Sequence, residues 1–226
     1  MKIHPLHRWD LSAAEAITLQ KELADRVDIR TPLTHCDLIA GADVSYNRFS
    51  TTFYASVVVL RADDLTMVET QGAVGEVTFP YVPGLLSFRE APVLLEAFAK
   101  VRSEPDVVMI DGQGIAHPRR LGIASHIGLW LQKPCVGCAK SRLTGRYQEP
   151  GKKAGSLAPL VADGEVVGDV VRTKNNVQPV FVSPGHLIDL PSSVRLVVAS
   201  CRGYRIPEPT RQAHLQVNAL RRQGAG

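Results

Sequence analysis

The chain has 226 residues, of which 45% are hydrophobic and 21% charged, a globular composition with enough chain for one large core over residues 1–226. No apolar run approaches the ~20 residues of a membrane span, and residues 1–8 lack the apolar segment of a secretory signal. We therefore expect a cytoplasmic protein that does not enter the membrane. The net charge of +4 is a mild bias towards anionic partners.

Residues 12–27 are predicted to form a helix, with Ser12 and Glu15 as a capping box. Residues 38–46 then have the pattern of a strand that carries one charge, Asp43, between apolar neighbours. An unpaired carboxylate inside a strand is costly, so Asp43 is expected to be hydrogen-bonded, ion-paired or metal-bound. An edge position or a salt bridge to an arginine is the structural alternative to a metal ligand.

Two further strands follow at hairpin-like spacing, over residues 53–60 and 67–77, the latter broken near Gly72 and Gly75. They predict an antiparallel three-stranded meander with the first strand. The loop that follows, residues 79–90, holds Tyr81 between two prolines that stiffen it. The loop is either a rigid apolar turn or a support that holds the Tyr81 ring in position to insert into a base stack.

Glu90 has two interpretations. It forms a capping box with Ser87, which alone would explain a glutamate at this position, or it is a third ligand of a metal or a water. Residues 107–111 are an apolar strand that ends on a second carboxylate, Asp111, and Asp-Gly then turns the chain. In open α/β sheets, sites form at the carboxyl ends of strands, so Asp111 and Asp43 on neighbouring strands could share one cation.

A helix at about residues 121–131 and a strand at about 135–139 complete a β-α-β order after the antiparallel meander. This mixed order predicts an α/β protein and resembles the ribonuclease-H-like fold, a mixed sheet flanked by helices. In that fold an acidic residue in the first strand and another at the end of the fourth hold catalytic magnesium. Asp43 and Asp111 occupy those two places.

Cys135 and Cys138 form a C-x-x-C pair inside the predicted strand 135–139, whereas Cys36 and Cys201 are isolated. A structural zinc site needs a second pair of ligands. Residues three apart on a strand point to opposite faces, which does not suit a redox motif. We expect these cysteines to be reduced and incidental.

A group of positive charges crowds one stretch that contains Gly and Pro, with Glu149 as its one acid: Lys140, Arg142, Arg146, Lys152 and Lys153. A solvated loop is the structural interpretation, and a loop that contacts phosphates is the functional one.

The C-terminal third predicts a hairpin of residues 158–161 and 165–171 around Asp163-Gly164, then a strand at 177–182. Ser183-Pro184-Gly185-His186 is expected to follow that strand and to precede a helix. The apolar run 190–199 has no clear assignment. A final helix is predicted from its cap, Thr210, to about residue 222, with His214 on the same face as Ala213, Val217 and Leu220.

Six segments, in order over nearly the whole chain, resemble the endonuclease V family: residues 41–46, 80–90, 111–119, 137–141, 183–186 and 205–214. The segment around Tyr81 and the Asp-Gly-Gln-Gly segment at Asp111 are the specific ones. The resemblance implies a magnesium-dependent nuclease, with Mn²⁺ as a substitute, that recognises deoxyinosine, the product of adenine deamination. It implies hydrolysis of the second phosphodiester bond 3′ to the lesion, which leaves 3′-hydroxyl and 5′-phosphate ends.

The resemblance also implies residue roles. Asp43 and Asp111 match the magnesium ligands, and the catalytic set that it implies is Asp43, Glu90, Asp111, Lys140 and His214. Lys140 matches a lysine near the scissile phosphate, and His214 matches a histidine near the attacking water. Tyr81 matches the aromatic of a wedge that fills the gap left by a flipped base. The substrate-binding set is Pro80, Tyr81, Pro83, Gly84, Leu86, Gly112 and His117, with backbone groups of 84–86 and 112–114 in the inosine pocket.

The expected partner is DNA that contains deoxyinosine, bound by a monomer, and inosine-containing RNA is the alternative within the family. A related ribonuclease-H-like nuclease that acts on branched DNA or RNA would use the same aspartates. A lesion-binding module without catalysis would have no use for the acidic residues and Lys140. A nucleotide-binding α/β protein is disfavoured because Asp111-Gly112-Gln113-Gly114 lacks the G-x-G-x-x-G pattern.

Overall fold

The computed structural model describes residues 1–224, which form one eight-stranded sheet and five helices. The strands are β1 (Leu38–Tyr46), β2 (Thr52–Arg61), β3 (Met67–Glu76), β4 (Val107–Ile110), β5 (Cys135–Ala139), β6 (Leu157–Ala162), β7 (Glu165–Val171) and β8 (Val180–His186). The helices are α1 (Ala13–Ala24), α2 (Leu86–Lys100), α3 (Ile123–Leu131), α4 (Leu190–Ala199) and α5 (Glu208–Gln223). None of the helices in this range is both long and apolar enough to cross a membrane.

The sheet has the order β3-β2-β1-β4-β5-β8-β7-β6. The first three strands form the predicted antiparallel meander, and β1, β4 and β5 run parallel to one another. β8, β7 and β6 then continue the sheet with antiparallel pairing. The mixed α/β sheet is therefore confirmed, and the carboxyl ends of β1, β4 and β5 meet at one edge of it.

Alternating side chains divide the core between the two faces of the sheet. Ala40, Ala42 and Ile110 pack under α2 and α3, whereas Ile39 and Met109 point to the opposite face, where α4 lies. α5 packs on the same face as α4. Its buried Ala213 contacts Val58 and Leu60 of β2. The period of two in a strand thus decides which helices each strand residue can reach.

The cysteine pair follows the same alternation. Cys135 belongs to the core under α2 and α3, and Cys138 belongs to the core on the other face. Both are free and buried. The prediction that they point to opposite faces is confirmed.

Several predicted boundaries hold and others are wrong. β1 and β5 have the predicted bounds, and the Ser12–Glu15 capping box is present, although α1 ends at Ala24. β3 is continuous through its glycines. The capping box of Ser87 and Glu90 is wrong, because α2 starts two residues earlier, with Leu85 as its N-cap, and Ser87 is buried inside the first turn.

The C-terminal third contains the larger corrections. β8 includes Ser183 to His186, because a register shift opposite Cys135 and Val136 accommodates Pro184, which has no N–H to donate. The unassigned run 190–199 is α4, capped by Asp189. α5 begins at Glu208 with Pro207 as its N-cap, so the cap role of Thr210 is wrong.

The segment before α1 is bound to the sheet's α3 side by a cluster of aromatic and histidine rings. His7 Nε2 and His126 Nε2 lie 2.7 Å apart, and His7 Nδ1 lies 2.8 Å from Arg8 O. The hydrogen-bond pattern therefore assigns Nδ1–H to His7 and makes His126 Nε2–H the donor to it. Trp9 and Trp130 stack beside them with ring centroids 5.0 Å apart. We call these four residues the histidine–aromatic cluster.

Candidate active site

The two predicted carboxylates lie side by side at the edge where β1 and β4 end. Ala42 is the register partner of Ile110, and the Asp111 N–H donates to Ala42 O at 3.3 Å. Asp43 and Asp111 are the next residues on these two strands. Since Ala42 and Ile110 point towards α2, alternation directs both carboxylates to the face that carries α5.

Each carboxylate has a basic partner from a different element. Lys140, the residue after β5, forms an ion pair with Asp111. His214 of α5 approaches Asp43, with Nδ1 and Oδ2 2.7 Å apart. His214 is half-exposed, whereas Ala213 and Val217 are buried and Leu220 is partly buried, so the prediction that His214 shares their face is wrong. Successive helix residues are about 100° apart, and His214 projects past the core to the sheet edge.

His214 is also held from its other side. Asn218, one turn along α5, places Nδ2 3.0 Å from His214 Nε2 and donates to His214 O at 2.8 Å. The Asn218 side-chain oxygen accepts from Ser45 Oγ at 3.0 Å. Ser45 and Asn218 therefore fix the imidazole against Asp43, and sequence spacing gave no signal of this pair.

The site concentrates negative charge in a partly buried place. Burial and the neighbouring Asp111 charge raise the pKa of Asp43. Glu90, in the first turns of α2, is close enough that burial and the charges of Asp43 and Asp111 raise its pKa to about 8. Burial opposes the charge on Lys140, but its ion pair with Asp111 raises the Lys140 pKa overall. The carboxylates are thus placed where a cation relieves their repulsion.

The donor chemistry fits a hard divalent cation such as Mg²⁺ or Mn²⁺. Asp43 and Asp111 offer carboxylate oxygens, which these ions prefer to the sulfur and imidazole donors of zinc sites. Among residues 1–224, no three His, Cys, Asp or Glu side chains lie close enough to form a complete protein cage. Magnesium typically uses one or two carboxylates and takes its remaining ligands from water and phosphate, so this sparse set suits it.

A cavity of about 140 Å³ opens beside this cluster. Its walls come from α1, the loop before α2, the turn after β4 and the start of α3. The predicted binding residues among its lining are Tyr81, Pro83, Gly84, Leu86 and His117. Gln113 lines it as well, two residues after Asp111, so one short turn serves both the cavity and the charged cluster.

The wall of the cavity is fixed by one carbonyl. Gly84 O accepts hydrogen bonds from Gln20 Nε2 at 3.0 Å, His117 Nε2 at 2.9 Å and Arg119 Nη2 at 2.8 Å. Gly84 has φ +79°, and a Cβ there would lie 2.7 Å from Arg119, so the position requires glycine. Burial lowers the pKa of His117 to about 4, which keeps its ring neutral.

The sequence did not reveal the role of Gln20, which lines the cavity, or of Arg119, which holds Gln20 and Gly84 O in place. Gln20 is fully buried on α1, and Arg119 Nε lies 2.5 Å from its side-chain oxygen. Tyr81 lines the cavity and is 67% exposed. Within residues 1–224, Pro80 and Gly112 are not among the cavity's lining residues.

One backbone group of the implied inosine pocket is already engaged. The Gly114 N–H donates to Ser183 Oγ at 2.8 Å, and a Cβ on Gly114 would lie 2.1 Å from Pro184 O. Gly114 therefore packs against β8. The structure brings together Asp43, Asp111, Lys140 and His214, and places Glu90 and the cavity beside them.

The family model of endonuclease V matches residues 21–215. Endonuclease V of Dehalococcoides mccartyi is 51% identical over 220 residues, which cover 97% of this chain and 99% of that protein. The endonuclease V structure from Streptomyces avermitilis is 39% identical, with a TM-score of 0.92 and full coverage of both chains.

A third relative was solved with nucleic acid. Ciona intestinalis endonuclease V, in complex with a 24-residue DNA that contains an inosine followed by a ribo-adenosine, is 26% identical with a TM-score of 0.79. It covers 93% of this chain and 98% of that one. The fold is ribonuclease-H-like. By the family model and these identities, this chain belongs to the endonuclease V family of nucleases.

Proposed function

We propose that this protein recognises deoxyinosine in DNA and hydrolyses the second phosphodiester bond 3′ to the lesion in a magnesium-dependent reaction. The products are 3′-hydroxyl and 5′-phosphate ends, and the base stays attached. The observation that carries the proposal is the adjacency of a small, walled cavity and a carboxylate cluster. Asp111 belongs to the carboxylate cluster, and Gln113, two residues further on, lines the cavity.

Asp43 and Asp111 would hold the metal ion, which when bound polarises a phosphate oxygen and lowers the pKa of a bound water. Lys140 adds a fixed positive charge beside Asp111, where negative charge develops on the phosphate in the transition state. Glu90 supplies a third acidic group at the same edge.

His214 orients or deprotonates the attacking water in this proposal. With Nδ1–H donating to Asp43, its Nε2 is the acceptor atom. Asn218 Nδ2 lies 3.0 Å from that atom, so the amide has to turn aside before Nε2 can accept a proton from water.

The cavity receives the flipped base. Hypoxanthine pairs weakly, so extruding it costs less than extruding a normal base. Position 6 of hypoxanthine carries a hydrogen-bond acceptor where adenine carries a donor amine. Backbone N–H groups of the cavity loops would donate to hypoxanthine and would face a second donor in adenine. Tyr81, exposed on a loop stiffened by Pro80 and Pro83, fills the gap in the stack.

Inosine-containing RNA is the second candidate substrate, because the DNA bound by the Ciona relative carries a ribo-adenosine after the inosine. A cytoplasmic monomer remains our prediction for the protein in the cell.

The direct test incubates the protein and magnesium with a labelled duplex that carries one deoxyinosine. The undamaged duplex and an inosine-containing RNA are the parallel substrates. We expect one nick, one nucleotide beyond the lesion, in the deoxyinosine strand. Cutting of the RNA alone would keep the chemistry and change the substrate. Binding of the lesion without magnesium-dependent cutting of any substrate would refute the nuclease proposal.

A further inference from the structure

A polar groove of about 600 Å³ has Lys140 in its lining and shares no lining residue with the cavity. It lies where β5 ends and β8 begins, the next position along the sheet edge after Asp43 on β1 and Asp111 on β4. Its lining includes Lys140, Arg142, Tyr147, Glu149, Pro179 and Arg205. Lys140 thus belongs to both the charged cluster and the groove.

The groove carries a surplus of positive charge. Its one acid, Glu149, is paired with Arg172, with Nη2 and Oε1 2.6 Å apart. Arg172 is nearly buried and also donates to Gly151 O and Pro150 O, both at 3.0 Å. The ion pair is therefore part of the bonding that holds residues 149–151 in place. Arg142 and Arg205 are then left with no acid of the groove opposite them. A phosphate backbone is the ligand that suits this balance.

The groove is preformed by contacts within the chain. Arg205 Nη2 donates to Lys140 O at 2.6 Å and to Pro179 O at 2.8 Å, which ties the loop after β5 to the start of β8. Tyr147 packs edge-on against Phe181, with ring centroids 5.5 Å apart and an interplanar angle of 76°. A groove with fixed walls costs less ordering entropy when it binds a flexible strand.

Tyr147 has the properties of a stacking platform. The Arg142 guanidinium lies 5.9 Å from its ring centroid, and the ring also lines a second groove of about 630 Å³ that continues past residues 148–151. Grooves for single strands combine cations along the backbone with aromatic rings on which bases stack. Arg142 and Tyr147 provide one of each, side by side.

We propose that this groove binds the nucleotides on the 3′ side of the scissile bond, with Arg142 on a phosphate and Tyr147 stacked on a base. The inference rests on the proposed function. A strand leaves the scissile phosphate in two directions, and the 5′ direction leads to the lesion, whose base occupies the cavity. The groove is the other path from Lys140. Of the five basic residues in the stretch that the sequence singled out, Lys140 and Arg142 line it, and the remaining three do not.

The test uses two deoxyinosine single strands, one ending one nucleotide after the predicted cut and one extended by about six nucleotides, within the site sizes of single-strand grooves. We expect wild-type protein to cut the long strand with the lower KM at similar kcat. Tyr147→Leu should raise KM for the long strand by about five- to 150-fold, the loss of one base stack. Arg142→Ala should lower the salt slope of binding by about 0.7, one phosphate contact.

Matched variants separate the groove from general effects. Tyr147→Phe keeps the ring and should behave as wild type. Arg30→Ala removes an exposed charge at the opposite edge of the sheet. Arg30 lies next to Asp28, whose N–H donates to His186 at the end of β8. The variant should leave KM unchanged for both strands. Melting curves check that Tyr147→Leu is folded. Equal KM for the two strands with wild type, or equal loss on both with the variants, overturns the proposal.

Different results would refute the proposed nuclease function and the proposed groove. If wild-type protein cuts neither strand, the proposed function fails, and fluorescence anisotropy of the same two labelled strands still decides the groove. Tighter binding of the long strand that is lost in Tyr147→Leu and Arg142→Ala supports the groove. Equal affinity for both strands refutes it.

Discussion

At the ends of β1, β4 and β5, charged side chains face one another, whereas in the histidine–aromatic cluster two histidines face one another without charge. Asp43 and Glu90 have raised pKa values because burial and like charges disfavour their ionised forms. Burial and the nearby His7 lower the pKa of His126 to about 3, so its neutral form is held. Both regions bury titratable groups, but one places several acids where each disfavours the ionisation of the others, and the other holds its histidines in the neutral form.

The difference indicates what each region is for. Like charges placed together cost folding energy, and such sites persist where a ligand or a reaction uses them. Neutral histidines packed among Trp9 and Trp130 add contacts and hydrogen bonds without that cost. Substitutions at the sheet edge should therefore change activity more than stability, and substitutions in the histidine–aromatic cluster should do the reverse.

The largest expected effect is that of Asp43→Ala. Cleavage of deoxyinosine DNA should fall by at least about a thousandfold, because one of two proposed metal ligands is lost. Lesion binding should remain largely intact, and urea denaturation should show an unfolding free energy equal to or above that of wild type, since a buried, repelled carboxylate is removed.

The matched control is Asp10→Ala, which removes an exposed carboxylate before α1 and should leave cleavage unchanged. Normal magnesium-dependent cutting by Asp43→Ala would show that the metal assignment is wrong. If Asp43→Ala lost several kcal/mol of unfolding free energy, the carboxylates at this sheet edge would be shown to stabilise the fold.

Gly41→Ala should change activity and stability together. A Cβ on Gly41 would lie 2.0 Å from Pro209 O, at the start of α5, so the helix must shift and carry His214 away from Asp43. We expect a loss of about 1–3 kcal/mol in unfolding free energy, typical of overpacking, and a lower kcat. Denaturation and single-turnover cleavage measure the two effects.

Gly75→Ala is the control on the same sheet, because its nearest neighbour, Val93 Cγ2, is 3.6 Å away and the added methyl meets ordinary contacts. It should be neutral or slightly stabilising. If Gly41→Ala lowered stability and left kcat unchanged, the position of α5 would not matter for the reaction.

The parts of the molecule that depend on local pattern were predictable. Apolar runs gave β1 and β5 their bounds, and the two carboxylates were visible because each interrupts or ends such a run. Contacts between distant segments were not. Arg119 meets Gln20 across 99 positions, and His214 meets Asp43 across 171. Residue pattern predicted neither contact, and only the family resemblance placed His214 and Asp43 in one catalytic set.

Local rules also failed where packing overrode them. Ser87 and Glu90 have the spacing of a capping box, but α2 begins earlier because Leu85 and Phe88 bury themselves against α1. Pro184 suggested the end of a strand, yet its place opposite a register shift allows β8 to continue. Both outcomes depend on a partner element that the local sequence does not specify.

The last effect we predict is on the pH dependence of stability and involves no catalytic group. His126 is fully buried, and among the described residues its Nδ1 has no hydrogen-bond partner, so a proton there would add a buried N–H without an acceptor. The unfolded chain takes up this proton near pH 6.5, and the folded chain does so near its pKa of about 3. The stabilisation is therefore complete above pH 6.5 and is lost as the pH falls towards 3.

His126→Gln keeps a donor near the Nε2 position and does not titrate. Its unfolding free energy should depend less on pH below 6.5, by up to about 1.4 kcal/mol per pH unit. The variant should thus be less stable than wild type at pH 8 and lose that deficit near pH 5, in urea titrations at both pH values. His117→Gln is the comparison, because the pKa of His117 is lowered to about 4 in the cavity wall. In both variants the unfolding free energy should depend less on pH. Only His117→Gln should weaken lesion binding. Equal loss of binding in both variants would remove the contrast between the two regions.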